Sequence, residues 1–174
     1  MRYREFLKRD FPRIPIAADP AIFRRLARLG GELIGLHLFE AQIGGGSTAH
    51  YPIAGSNVVE RGYPRYLPPG TTDPLNGTNL LSGRIYVNGA GGRNIGMGQY
   101  FDGVEPEVWN YYVGGYQVCE KWLRDRRGRT LTDQELDRYQ HILTALHLSL
   151  DVLKSIDGVV ASGQFIRQSG QAES

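Results

Sequence analysis

The sequence WNYYVGGYQVCEKWLRDRRGRT occupies residues 109–130 and combines aromatic, glycine and basic residues in one run. Aromatic residues lead into a glycine pair at 114–115. Beyond that pair, apolar residues recur at the spacing of a helix face; they are Val118, Cys119, Trp122 and Leu123. The pattern predicts a helix that is entered through a glycine turn, buries one face and ends at Gly128.

The basic residues of this run are predicted to lie in the last turn of that helix, where the negative end of the helix dipole stabilises cations. We call them the basic cluster: Lys121, Arg124, Arg126, Arg127 and Arg129. Two interpretations are open from the residues alone. The cluster is suited to holding a polyanion, and it is equally typical of a solvated helix end.

Strand signals lie in the middle third of the chain. Residues 84–88 give the clearest strand, and residues 99–101 are its expected partner across a glycine-rich tip. Shorter strands are expected at 51–53 and 58–59, whereas proline and glycine indicate a loop over 66–81. These segments predict a small antiparallel sheet.

Helices are predicted on both sides of the sheet. Asp19 and Pro20 are typical of a helix N-cap and a first helical position, and this helix is expected to end near residues 41–44. Its apolar stripe consists of Ile22, Leu26, Leu29, Leu33 and Leu36. A long second helix is expected to start at a capping box of Thr132 and Glu135. Its apolar seam is predicted to pack against another helix, most simply against the stripe, and consists of Leu136, Tyr139, Leu143, Leu146, Leu150 and Leu153.

These elements predict an α+β fold in which a small antiparallel sheet from the middle third is flanked by helices from the N- and C-terminal thirds. Residues 3–9 are expected to form a short charged helix or arm, residues 11–15 an extended segment, and residues 105–114 a short helix. We expect one domain over residues 1–157 and a flexible polar tail over residues 158–174.

Length and charge limit the classes of function. The chain has 174 residues, with 20 Lys+Arg and 18 Asp+Glu and a formal net charge of +2. This balance excludes a strongly basic protein that coats nucleic acid, but it allows a local basic face. The sequence shows neither a signal segment nor an apolar run of membrane-spanning length, so we expect a cytoplasmic protein. The single cysteine, Cys119, is predicted to be a buried thiol.

The run EVWNYYVGGYQVCEKWLRDRRGR resembles the C-terminal segment of the Type ISP restriction–modification enzymes and of related single-chain DNA methyltransferase–restriction enzymes. The resemblance continues, in the same order, through RYREFL and FPRIP near the N-terminus, the helix over 29–38, GRIYVN, QYFDGV and the last long helix. Those enzymes end in a target-recognition, or specificity, domain. The resemblance therefore implies recognition of double-stranded DNA rather than catalysis.

Motifs for catalysis are absent from the sequence. It contains no Asp/Asn-Pro-Pro-Tyr/Phe run of a DNA amino-methyltransferase and no P-loop for ATP, and the adjacent pair Glu120-Lys121 lacks the Glu-x-Lys spacing of a magnesium nuclease. The four histidines show no metal-ligand spacing, and no carboxylate pair is placed for acid–base chemistry. We expect a protein that is not itself an enzyme and needs no cofactor or metal, with catalysis in other domains of a larger enzyme.

Nine residues are predicted to contact DNA. Phosphate contact is assigned to the four arginines of the basic cluster, because a helix end followed by a loop suits a track along the DNA backbone; they are Arg124, Arg126, Arg127 and Arg129. Base reading is assigned to the strand and loop region, since arginine pairs with guanine and asparagine with adenine; the nominees are Arg65, Arg84, Asn88 and Arg93. Most tyrosines interleaved with these arginines are expected to pack in the core.

Two classes of function remain. In the first, the chain is the target-recognition module of a restriction–modification system with a DNA adenine methyltransferase, and its partner is double-stranded DNA. In the second, the chain is an interaction module that docks on a methyltransferase or a helicase/nuclease subunit, or the remnant of a split restriction enzyme, and DNA contact is incidental. Affinity of the purified chain for duplex DNA separates the two.

Overall fold

The computed structural model of the chain describes residues 16–39, 48–73, 77–89, 98–163 and 165–166. The backbone divides into two compact units, one formed by residues 42–150 and the other by residues 1–41 with 151–174. The arm predicted over 3–9 and the extended segment predicted over 11–15 lie outside the described residues. In chain order the elements are β1 (Ile16–Ala17), α1 (Pro20–His37), β2 (Arg65–Leu67), β3 (Arg84–Tyr86), β4 (Tyr100–Phe101), α2 (Pro106–Trp109), β5 (Tyr112–Val113), β6 (Tyr116–Gln117), α3 (Val118–Arg124), α4 (Asp133–Ser162) and β7 (Phe165–Ile166).

The smaller unit is built on α1, and the predicted start of this helix is confirmed. The carboxylate of Asp19 accepts a hydrogen bond from the Ala21 N–H at 2.7 Å, and Pro20 is the first helical residue. Within the predicted stripe, Leu29 and Leu36 are buried and the other three residues are half-buried. The stripe is therefore the inward face of α1.

The end of α1 differs from the prediction. The helix stops at His37 instead of near 41–44. Phe39 has a φ of 57°, in the left-handed region, and this conformation ends a helix. The sequence signal for this stop is weak, because phenylalanine adopts a positive φ rarely.

Helix α4 spans 30 residues and continues to Ser162, past the point where a flexible tail was predicted. Gly158 lies inside the helix, and Val159 beside it is buried. One glycine costs a helix only about 1 kcal/mol, which is less than tertiary packing supplies. After the helix, β7 pairs antiparallel with β1, with Ile166 opposite Ile16.

The larger unit contains a three-stranded antiparallel sheet in the order β2-β3-β4. The predicted strand and its partner are confirmed as β3 and β4, with Ile85 opposite Phe101. Strand β2 lies at the start of a segment predicted as a loop, and it pairs with β3. Residues 51–53 and 58–59, which were expected to be strands, do not form strands. Only isolated bridges occur in their neighbourhood, between His50 and Asp102 and between Val58 and Thr130, because an extended segment becomes a strand only with an aligned partner.

The two faces of this sheet pack differently. Tyr66, Ile85 and Phe101 lie on one face and join the main core, which also takes residues of α3 and α4. Tyr86 and Tyr100 lie on the other face and pack with Tyr63 in a separate cluster. We call this second side the tyrosine face. Arg65 and Arg84 share its register, because they alternate with the core-facing residues.

The seam of α4 is buried, as predicted, in this unit. Leu136, Tyr139, Leu143 and Leu146 all belong to the main core. The partners of the seam there are the sheet and α3, whereas the sequence suggested the stripe of α1. Tyr139 meets the Phe101 ring edge-on at 4.6 Å, and its hydroxyl donates to the Cys119 carbonyl at 2.9 Å. The capping box is also confirmed, because Thr132 and Glu135 exchange backbone-to-side-chain hydrogen bonds of 3.1 and 3.2 Å.

The run over residues 109–130 folds differently from the prediction. The short helix α2 ends at Trp109, and β5 and β6 then form a hairpin whose tip is Gly114 and Gly115. These glycines have φ values of 55° and 85°, the combination that a tight hairpin turn requires. Helix α3 therefore begins at Val118 and ends at Arg124, so Arg126, Arg127 and Arg129 lie in the turn beyond it. Its buried face, which contains Cys119 and Leu123, is confirmed.

The predicted fold class is confirmed. The described residues form four helices and a small three-stranded antiparallel sheet, which comes from the middle of the chain and is preceded and followed by helices in the sequence.

Candidate nucleic-acid interface

The turn that follows α3 is attached by its backbone to residues 57–60. The Gly128 N–H donates to the Val59 carbonyl at 2.8 Å, and the Val59 N–H donates to the Arg129 carbonyl at 3.1 Å. Val58 and Thr130 form an antiparallel bridge. This pairing brings the arginines of the turn next to residues 60–65, which we call the Tyr63 turn.

Two cations of the basic cluster form ion pairs along α3. Lys121 lies 2.5 Å from Asp125, and Arg124 lies 3.6 Å from Glu120. The hydrogen bond from Lys121 lowers the pKa of the exposed Asp125 carboxyl. Such surface pairs contribute little to stability because water screens them, but they reduce the positive field at the end of the helix.

Two further arginines of the cluster share the carboxylate of Glu135. Arg126 places Nε 3.1 Å from Glu135 and stacks on Trp122, with its guanidinium carbon 3.6 Å from the ring centroid. Arg129 contacts both carboxylate oxygens, at 2.5 and 3.3 Å. Burial raises the pKa of Glu135, but the hydrogen bonds from Thr132, Arg129 and Arg126 outweigh it and hold the pKa below its usual value. Two nitrogens of each guanidinium are thus directed to groups within the protein.

Arg127 and Arg65 have a different environment. Both are exposed. The Nε of Arg127 donates to the Tyr63 carbonyl, and the Nε of Arg65 donates to the Gly62 carbonyl at 3.0 Å. Among the described residues neither guanidinium forms an ion pair with a carboxylate.

Arg61 lies on the same turn and was missed in the sequence prediction. Its side chain is exposed, and no ion pair joins it to a described carboxylate. Gly62 follows it with a φ of 87°, so the chain reverses immediately after Arg61. The sequence does contain a signal for Arg61. It directly precedes a turn glycine and lies beside the interleaved Tyr63 and Arg65.

Arg84, a predicted base reader, is held inside the protein. It lies 2.9 Å from Asp73 and 3.4 Å from Asp102, and its guanidinium carbon is 4.4 Å from the Tyr100 ring centroid. Its side chain is only 16 % exposed. Burial lowers the pKa of Arg84, but contacts with Tyr86 and both carboxylates outweigh it and raise the pKa above its ordinary value. This geometry gives Arg84 a structural role in the free protein.

Asn88, another predicted base reader, is 3 % exposed and its amide is fully engaged. Its side chain donates to the Val58 carbonyl and to Gln99, and it accepts from the Gln99 N–H at 2.8 Å. A side chain at Gly98 would come within 1.9 Å of the Asn88 carbonyl oxygen, so the network is closely packed. Contact with a base would require this network to open. The fourth nominee, Arg93, lies outside the described residues.

The tyrosines divide into packed and exposed groups. Most of those described are buried or half-buried; Tyr66, for example, stacks on Trp109 at 5.2 Å and donates to the Val104 carbonyl. Tyr112 and Tyr116, on the hairpin, are 48 % and 59 % exposed. The thiol of Cys119 is buried as predicted, and burial raises its pKa to about 12.

Neither a membrane span nor a metal cluster is found in the described part of the chain. No helix there combines the length and apolarity that crossing a bilayer requires. No three His, Cys, Asp or Glu residues described gather as metal ligands.

Comparison with known proteins identifies the family. The sequence profile of the Type ISP C-terminal specificity domain matches residues 1–151, which is most of the chain. The chain belongs to this family of specificity domains. A comparison with curated protein sequences gives no match.

A solved structure supports the fold. It is described as "ATP-dependent Type ISP restriction-modification enzyme LlaBIII bound to DNA". It aligns with 97 % of this chain at 18 % sequence identity and a TM-score of 0.51. The aligned part is 10 % of the larger chain, so the chain described here spans about a tenth of that protein.

Proposed function

We propose that this chain is a DNA target-recognition module of a restriction–modification system. Membership of the Type ISP C-terminal specificity domain family over residues 1–151 is the observation that carries the proposal. The similar fold of an enzyme described as bound to DNA supports it. The role implies a cytoplasmic location, alongside the DNA that the chain would contact.

The proposal assigns no reaction to this chain. Methyl transfer to adenine and DNA cleavage belong to other domains of a larger enzyme or to partner subunits, since the sequence contains no methyltransferase, ATPase or nuclease motif. Transfer of a methyl group from S-adenosylmethionine to DNA by the purified chain would contradict this assignment.

The surface of the larger unit suggests how DNA would be contacted. The exposed members of the predicted set, Arg65 and Arg127 above all, remain proposed contacts, and Arg93 remains proposed as a base reader. Arg84 and Asn88 are proposed instead to hold the sheet and its loops in shape, because their polar groups already bind protein partners. Phosphate contacts would position the domain, and base contacts would specify the sequence.

A selection experiment tests the proposal. The purified chain is mixed with duplexes that contain a random central segment, and the bound duplexes are recovered and sequenced over several rounds. We expect enrichment of one defined sequence. Binding without enrichment would restrict the role to non-specific DNA contact, and absence of binding at low salt would contradict the proposal.

One observation favours the alternative of a protein-interaction module. The β5–β6 hairpin exposes Tyr112, Val113 and Tyr116, each by about half of its surface. Exposed apolar clusters are typical of protein-binding sites. Replacing Tyr112 and Tyr116 by serine would abolish capture of a methyltransferase subunit and leave duplex affinity unchanged if the hairpin serves that role.

A further inference from the structure

We infer that Arg61, Arg65 and Arg127 form a phosphate-binding site around the Tyr63 turn. The three arginines come from two segments that are more than 60 positions apart in sequence, and the backbone pairing of residues 57–60 with residues 128–131 brings the segments together. The inference rests on the proposed function for the source of the phosphate, which is the backbone of duplex DNA.

The hydrogen bonds of Arg65 and Arg127 orient their guanidiniums. Each uses Nε to donate to a main-chain carbonyl. A guanidinium has five N–H groups in a rigid fork, so this contact leaves the four terminal N–H groups without a hydrogen-bond partner in the described part of the chain. The terminal edge is the one that binds a phosphate with two parallel hydrogen bonds.

The two anchoring carbonyls belong to consecutive residues, Gly62 and Tyr63. Neighbouring Cα atoms are about 3.8 Å apart, so the two Nε groups are anchored at adjacent residues of one turn. Arg61 precedes Gly62 directly and is exposed. Three arginines therefore belong to this turn or bind it, and two of them are anchored to its carbonyls.

Fixed arginines bind anions at a lower entropic cost. Ordering a free arginine side chain costs conformational entropy, and the carbonyl contacts of Arg65 and Arg127 supply part of that ordering before any ligand binds. The same contacts carry no negative charge, so they leave the full charge of each guanidinium for a phosphate.

The other two arginines of the turn beyond α3, Arg126 and Arg129, lack this property. Arg129 directs two terminal nitrogens to Glu135, and Arg126 directs Nε to Glu135 and one terminal nitrogen to the Trp122 carbonyl. A phosphate would have to displace these partners. The carboxylate next to Arg61 in sequence, Glu60, accepts a hydrogen bond from the Gly89 N–H at 3.0 Å, so one of its oxygens is engaged with the loop after β3.

Salt-dependent binding of a non-specific duplex tests the site. Because each neutralised phosphate contributes about 0.9 to the slope of log K against log salt, the variant with Arg61, Arg65 and Arg127 all changed to alanine should have a slope shallower by about 2.7. The variant with lysine at all three positions should keep most of the slope and lose affinity, because lysine retains the charge without the fork. Thermal unfolding of each variant verifies that it is folded.

Single substitutions provide a charge-matched control. Arg127→Ala and Lys154→Ala each remove one positive charge, but Lys154 lies on α4 and is paired with Asp151 at 3.2 Å. We expect Arg127→Ala to make the slope shallower by about 0.9 and Lys154→Ala to leave it unchanged. Equal effects of the two would show that only total charge matters and would overturn the site.

Inorganic pyrophosphate gives a second readout that needs no DNA. NMR signals of the Nε–H groups of Arg65 and Arg127 should shift on titration with pyrophosphate, and the alanine variant should lack this response.

If the intact protein binds duplexes and the alanine variant keeps the full slope, the site is overturned while the proposed function stands. If pyrophosphate shifts both signals but no duplex binds, the proposed function is overturned and the anion site stands. If neither ligand binds, both are overturned.

Discussion

Arg84 lies on the tyrosine face of the sheet, between the carboxylates of Asp73 and Asp102 and against the Tyr100 ring. Arg126 and Arg129 share one carboxylate, and Arg65 and Arg127 each donate through Nε to a main-chain carbonyl and form no ion pair with a described carboxylate. The environment of each guanidinium therefore determines its role. An arginine enclosed by carboxylates stabilises the fold, whereas one anchored to a carbonyl keeps its charge for a ligand.

Replacing Arg84 by alanine should destabilise the protein. The change removes the cation that separates two carboxylates and also removes a stacking contact. Removing one partner of a buried ion pair costs about 3–5 kcal/mol, and the residual exposure of Arg84 places the expected loss at about 2–3 kcal/mol. Urea unfolding measures it, with Arg124→Ala as a control that should cost less than about 1 kcal/mol.

The same substitution also tests the base-reading role that the sequence suggested for Arg84. If the alanine variant has unchanged stability and instead loses its preference between target and scrambled duplexes, Arg84 contacts bases and the structural role is wrong.

Part of the candidate site follows from the sequence. The run of arginines after α3 was identified from composition and spacing alone. The carboxylate of Glu135 determines which of these arginines is neutralised. The carbonyl of Tyr63, 64 positions from Arg127, determines which of them is anchored. Contacts at such separation leave no local pattern, so the sequence could not separate Arg127 from Arg129, and it assigned Arg84 to the surface although Asp73 and Asp102 enclose it.

At the scale of elements, Glu135 joins α4 to the turn after α3. It caps the helix through Thr132 and accepts hydrogen bonds from Arg126 and Arg129. Because its pKa is lowered in the folded state, its stabilising contribution is complete above its unfolded pKa of about 4.3 and is lost as the pH falls through the lower folded value.

Glu135→Gln should therefore be less stable than the unmodified chain at pH 7 by about 1 kcal/mol, and the difference should shrink below about pH 4. Glutamine can still reach the Thr132 N–H, so the variant removes the charge and retains the cap. Unfolding free energies measured from pH 3 to pH 7 test this. A difference that stays constant over that range would show that the ion pairs contribute nothing.

Replacing a glycine by alanine should have opposite effects on stability in the β5–β6 hairpin and in α4. Gly115 has a φ of 85° and Gly158 lies inside α4, and a methyl group at either position would meet no atom within 4 Å. The backbone alone therefore decides the effect. Gly115→Ala should cost about 1–2 kcal/mol, whereas Gly158→Ala should stabilise the chain by about 0.5–1 kcal/mol.

Thermal unfolding of the two glycine variants measures both effects. A stabilising Gly115→Ala would contradict the hairpin, and a destabilising Gly158→Ala would contradict a continuous α4.

Strong local signals predicted elements well. The Asp19 cap, the Thr132–Glu135 capping box, β3 with β4, and the buried seam of α4 are all confirmed. The hairpin at 112–117 was missed, because glycine pairs mark hairpin tips and helix boundaries alike and the strands beside them have two residues each. Strands this short carry no period that a sequence pattern can reveal.

At the scale of the whole molecule, charge is nearly balanced, with 20 basic side chains against 18 acidic ones. A protein of this kind has no strong general attraction to a polyanion. If it binds duplex DNA, the interaction must come from local groups whose charge is not already neutralised by neighbouring carboxylates.

This balance leads to a prediction for the intact chain. Three phosphate contacts at the Tyr63 turn give an expected slope of log K against log salt of about −2.7, which corresponds to a roughly forty-fold loss of affinity between 50 and 200 mM salt. A coating protein that used most of its basic side chains would show a slope several times steeper. Fluorescence anisotropy with a labelled non-specific duplex over that range provides the measurement.

A slope near zero would exclude phosphate contact altogether. A slope steeper than about −5 would require more cations than the Tyr63 turn contains. It would show that carboxylate-paired arginines of the basic cluster exchange their partners for phosphate, or that basic residues outside the described ranges also contact DNA.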